Sequence, residues 1–158
     1  MVFLRSRRVL VGLAVVVATL VVASPANASV AATYGTLTSV APTVAACSGA
    51  TCMTTSATFA SNGTVSTNVT VTITLYRTAK AGGTAASSTD YLVKKSSTTY
   101  STVKGAKSTW TLTATQKCAT VASTAYGYYT RATMTNGTVA GTVSESSAIK
   151  QLKGCVTV

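Results

Sequence analysis

Residues Asn68–Arg77 read NVTVTITLYR. Val69, Val71, Ile73 and Leu75 fall on one face of an extended chain, and Thr70, Thr72, Thr74 and Tyr76 fall on the other. Strict period-two alternation in β-branched residues predicts a strand with one face in a core. Upstream, Met53–Ala60 alternates in the same way through Met53, Thr55, Ala57 and Phe59, and Ser61-Asn62-Gly63 follows. Asn-Gly between two alternating runs signals a hairpin, because both central turn positions take positive φ. Met53–Ala60 is therefore expected to pair antiparallel with Thr64–Arg77. Downstream, Lys107–Cys118 places Trp110, Leu112, Ala114, Gln116 and Cys118 on one face and threonines on the other, with Trp110 expected in the core. Thr124–Thr135, Asn136-Gly137 and Thr138–Ser147 read as a second hairpin.

Between these runs, Ala32–Ala41 reads as a first strand ended by Pro42, followed by a short loop with two cysteines. Thr78–Ser88 (TAKAGGTAASS) reads as a loop with no bulky anchor. Asp90–Lys95 and Thr98–Lys104 read as two shorter strands, and Lys94-Lys95 suits a sheet edge, where charge discourages foreign pairing. Cys155 pins the tail Ala148–Val158. No stretch has a helical period. About seven strands with turns between them predict an all-β fold, an antiparallel β-sandwich.

The first residues read as a leader. Arg5, Arg7 and Arg8 precede an almost continuously apolar Val9–Ala23, and Ala26-Asn27-Ala28 has the small-x-small form of a cleavage site. Residues 1–28 are thus expected to be a signal peptide and 29–158 a single domain. An apolar run of ~15 residues is short of the ~20 that span a bilayer. Ser6-Arg7-Arg8 also fits a twin-arginine export signal, and the strongly apolar run after it suits the general secretory route. Thr and Ser make up 47 of the 130 residues after Ala28. A Ser/Thr stalk would be proline-rich, whereas this segment holds only Pro42 and alternates Thr with apolar residues, so sheet is the expectation.

Cys47, Cys52, Cys118 and Cys155 are an even set in a chain expected to be exported, which implies two disulfides. Cys47–Cys52 as a local clip with Cys118–Cys155 is the favoured pairing; Cys52–Cys118 with Cys47–Cys155 is the rival. Zinc is disfavoured, since the chain has no histidine and the cysteine spacing is wrong for it.

Tyr128-Tyr129-Thr130-Arg131-Ala132, then Asn136-Gly137, Gly141 and Ser144-Glu145-Ser146, resemble the last hairpin of fibronectin type III and related immunoglobulin-like domains. The resemblance implies an antiparallel immunoglobulin-like β-sandwich of about seven strands that serves adhesion or recognition. The rows Thr70/Thr72/Thr74 and Thr109/Thr111/Thr113/Thr115 also resemble the Thr-x-Thr rows of ice-binding proteins. That chemistry needs a flat array, and an ordinary sheet twists by roughly 20° per strand.

The catalytic inventory is nearly empty. Without histidine no Ser/His/Asp or Cys/His arrangement can be built. Asp90 and Glu145 are the only carboxylic acids, and neither sits in a catalytic motif. No enzyme, catalytic residue, metal or cofactor is expected. Asn62-Gly63-Thr64, Asn68-Val69-Thr70 and Asn136-Gly137-Thr138 are formal glycosylation sequons, two of them at expected turns. Beyond the leader, ten lysines and arginines face two acids, a net charge of +8, and in sequence they are spread rather than clustered. That balance suits association with extracellular polyanions or a cell surface, with no aromatic set for specific nucleic-acid stacking. The expected function is a secreted, non-catalytic binding or structural protein. The alternative is an inhibitor or antimicrobial acting through the Thr78–Ser88 loop; a secreted hydrolase ranks lower.

Overall fold

The computed structural model describes residues 27–136 and 139–156, and these form antiparallel strands joined by loops, with no helix among them. The strands are β1 (Asn27–Ala32), β2 (Gly35–Cys47), β3 (Ala50–Ser61), β4 (Thr67–Ala81), β5 (Tyr91–Thr102), β6 (Thr109–Cys118), β7 (Thr120–Val121), β8 (Tyr126–Asn136), β9 (Val139–Ser146), β10 (Lys150–Leu152) and β11 (Cys155–Val156). One sheet has the order β1-β2-β3-β6. In the other, β4 lies between β5 and β8, and the far edge of β8 is shared by β9 and β10. β7 and β11 form a separate pair. The long strands thus run β2-β3-β6 in one sheet and β9-β8-β4-β5 in the other, and side chains of both sheets meet in a common core.

The central strand behaves as its alternation predicts. Val69, Val71, Ile73 and Leu75 are fully buried; the first three meet Leu37, Ala57, Phe59, Leu112 and Ala114 from the opposite sheet, and Leu75 packs with Met53 and Cys118. The outward hydroxyls form cross-strand rungs, with Thr70 on Thr99 and Thr72 on Ser97 at 2.8 Å each. The Asn136-Gly137 hairpin also stands: Asn136 pairs with Val139 and Arg131 with Ser146, while residues 137 and 138 lie outside the described set.

Four readings of the sequence are corrected. Met53–Ala60 does not pair with β4; it lies in the other sheet, between β2 and β6. Asn62-Gly63 makes a crossover instead of a hairpin. Asn62 takes Thr64 N–H on its side-chain oxygen at 3.0 Å, Gly63 alone has positive φ, and the Gly63 carbonyl receives Gly105 N–H at 2.8 Å. Second, Pro42 does not end the first strand. β2 runs on to Cys47, and Ser48 (φ 39°) and Gly49 (φ 76°) form a two-residue turn into β3. Third, β5 is one strand. The pairing shifts between Leu75/Lys94 and Tyr76/Leu92, so Val93 is a bulge. It is the edge strand, as Lys94-Lys95 suggested. Fourth, Trp110 lies at the rim, partly buried, its ring stacked on Phe59 at 5.5 Å and on Tyr100 at 5.2 Å. Phe59 is the aromatic ring at the centre of the core.

Proline has no N–H to give the ladder, and pairing between β2 and β3 breaks from Val40 to Thr43. The Val40 carbonyl is taken up by buried hydroxyls: Thr130 donates at 2.6 Å and Thr55 at 3.5 Å, and these two hydroxyls also meet each other. This polar belt separates two apolar clusters. One surrounds Phe59; the other contains Met53, Leu75, Tyr128 and the Cys118 and Cys155 sulfurs. Cys47–Cys52 clips the β2–β3 turn with Cα atoms 5.7 Å apart, and Cys118–Cys155 ties β6 to β11 at 4.6 Å. The favoured pairing holds, and no cysteine is free. Residues 1–26 of the expected leader lie outside the described residues, and the expected cleavage point after Ala28 falls within β1.

Candidate functional site

Both carboxylates are drawn into the scaffold. Asp90 Oδ1 accepts Ala79 N–H at 3.1 Å, and its Oδ2 accepts Ser87 N–H at 2.8 Å and the Tyr129 hydroxyl at 3.0 Å. These bonds, with Gln151 Nε2 donating to the Gly83 carbonyl at 2.6 Å, hold the segment 82–90 as a strap over Tyr129. The strap overlaps the loop expected at Thr78–Ser88, although β4 continues to Ala81. Its anchors are Asp90, Gln151 and the buried Thr78, whose hydroxyl receives Gly127 N–H at 3.1 Å. Burial first, and then the Asp90 carboxylate, push the Tyr129 phenol up to about 12, with Arg131 opposing. Glu145, on β9, accepts Ser146 N–H at 3.1 Å and lines no cleft with Asp90 among the described residues.

The cations that are spread in sequence are gathered by the fold. β4 ends, and β5, β8 and β10 lie, at the same end as the two disulfides. Arg77, Lys80, Lys94, Lys95, Lys117, Arg131, Lys150 and Lys153 therefore sit from the level of the polar belt to that end. Lys104 and Lys107 sit at the other. Asp90, in the cation-rich half, already holds three donors, and Glu145, paired with Ala132, stands one residue from the level of Arg131.

Within that half lies one shaped feature. Arg77 is the last residue of the quoted stretch, paired with Tyr91 on β5 and Tyr128 on β8. Its guanidinium carbon stands 4.8 Å from the Tyr91 ring centre and 4.6 Å from that of Tyr126, so two rings flank it. Its Nε is enclosed without a hydrogen-bond partner, as is the Tyr128 hydroxyl. Burial pushes the Tyr128 phenol up, and the neighbouring Arg77 opposes by pulling it down. Arg77 and Tyr126 face the segment 122–124 across a cleft of about 230 Å³. Tyr91 is 54% exposed. The sequence gives Arg77 no distinction from the other cations; the Val93 bulge and the offset of Thr78–Lys80 against β8 bring the tyrosines to it.

Among the described residues no helix is long and apolar enough to cross a membrane, and no group of three metal-binding side chains occurs. No family model matches the chain, and no curated protein or solved structure is detectably similar to it.

Proposed function

We propose that this protein works outside the cell as a non-catalytic binding module for anionic polymers, meeting them with its disulfide-bearing end. The supporting observation is the gathering of eight of the ten cations beyond Ala28 into one half of the sandwich, where Asp90 is already committed to three internal donors and Glu145 stands at the boundary. Such a one-sided field attracts polyanions over long distances at low salt and is screened beyond ~8 Å at physiological ionic strength. The two disulfides fit an oxidising compartment, and the leader supplies the route. A rigid sandwich that presents a charged end is a recognition scaffold by analogy of fold alone.

The test is binding of the secreted chain to an anionic wall polymer and to a neutral glycan at two salt concentrations. Binding to the anionic polymer alone, weakening as salt rises, is the expected result. Absence of binding at low salt, or binding indifferent to salt, overturns the proposal.

A further inference from the structure

A diffuse field explains attraction but not the treatment of Arg77. An enclosed, charged donor with no acceptor is costly, and proteins do not ordinarily leave one so. Most of the other cations need no account, since a lysine at the surface is hydrated. Arg131 is also set over a ring, Tyr76, at 5.2 Å, but its nitrogens are not among the enclosed, unpartnered atoms of the described residues.

The tyrosine rings do two things. They exclude some water from beside the guanidinium, which strengthens any charge interaction made at its edge, and they restrict its orientation. A planar fork held in one orientation suits a pair of anionic oxygens, as in a carboxylate or a phosphate, and a lysine cannot reproduce it. The cleft beside it has room for one such group and is bordered by Ala122, Ser123 and Thr124. Tyr91 keeps more than half its surface exposed, so beyond Arg77 there is an open aromatic face for the apolar side of a sugar ring.

We infer that the Arg77 cleft, with Tyr126 as one wall and Tyr91 packed against the guanidinium, is a binding subsite for one oxyanionic group of an acidic saccharide. The inference rests on the polyanion reading and sharpens it: the field brings the polymer in, and Arg77 selects the group that docks. The shared chemistry is a pair of anionic oxygens on a sugar or polyol, either a uronate carboxylate or a phosphodiester.

The probes are an oligogalacturonate, a glycerol-phosphate oligomer, and a neutral oligosaccharide of equal length, titrated against the full secreted protein while amide signals are followed by NMR. Arg77→Gln and Lys107→Gln remove the same charge from opposite ends. Arg77→Lys keeps the charge and loses the fork, and serves if the Gln variant melts early. The expected result is a tenfold or greater loss of affinity for at least one anionic oligomer in Arg77→Gln and Arg77→Lys, and a less than twofold loss in Lys107→Gln. Shifts should centre on Tyr91, Tyr126 and 122–124, and whichever oligomer binds identifies the source. Equal losses in Arg77→Gln and Lys107→Gln, or unaltered affinity in Arg77→Lys, overturn the subsite and leave the polyanion reading standing. No binding of either anionic oligomer at low salt overturns both.

Discussion

Tyr129 binds its proton more tightly in the folded chain than it would unfolded, because burial and the Asp90 carboxylate disfavour its anion. The folded state therefore holds more protons than the unfolded state above pH ~10. The stabilisation is fully present below that pH and is lost as pH rises toward the folded value of about 12. Tyr129→Phe should flatten part of the fall in melting temperature between pH 10 and 12; thermal melts across that range check it, and an unchanged slope would sink the assignment. In the core, Phe59→Ala should cost ~3–5 kcal/mol, Trp110→Ala less, and the outward Thr111→Ala within ~0.5 kcal/mol of zero, all read from denaturant midpoints. Which side chains face inward was legible from alternation alone, since Val69 to Leu75 and Leu112 to Cys118 are placed as read. How deep each lies was not. Trp110 lies one residue inside the start of β6, opposite Phe59, and only the packing of Tyr100 and Phe59 sets how much of its ring is covered.

The turns show the same division at the scale of elements. Ser48-Gly49 joins β2 to β3 with both residues at positive φ, a turn that favours asparagine at its first position. Ser48→Asn should raise stability by roughly 0.5 kcal/mol, and Gly49→Ala should lower it by about 1–2 kcal/mol, as chemical denaturation will show. Asn62-Gly63 misleads because its turn chemistry is local while its consequence is not. An alanine Cβ at Gly63 would come within 2.9 Å of the Ala106 carbonyl, so the glycine serves a loop-on-loop contact between crossovers. The strap is likewise invisible in sequence, its small residues suggesting nothing that Asp90 and Gln151 could hold. Asp90→Ala should accelerate amide exchange across 82–90 while leaving β4 and β8 protected. Unaltered exchange would mean that Asp90 does not anchor the strap.

For the molecule as a whole, the cysteine count was readable, and the gathering of charge was not, because it depends on which strand ends share one end of the sandwich. In the chain-entropy account, losing the Cys118–Cys155 bond, which closes 37 residues, should cost ~4 kcal/mol, and losing Cys47–Cys52 ~2 kcal/mol. Double Cys→Ala variants measured by denaturation check the order. The polar belt bears on a different question, that of uniqueness. A sheet made of near-repeating Thr-x-Thr segments is degenerate: sliding a strand by two residues keeps every apolar side chain inward and every hydroxyl outward. Hydrophobic patterning alone cannot tell such alignments apart. Val40 contributes one acceptor, Thr55 and Thr130 one hydroxyl each, from three different strands, and they coincide in a single alignment. Thr130→Val, nearly equal in shape, should keep the circular-dichroism signature of sheet yet split or broaden the amide resonances of β2, β3 and β8. In a chain this monotonous, a few buried hydroxyls act as the index mark against which the strands are counted.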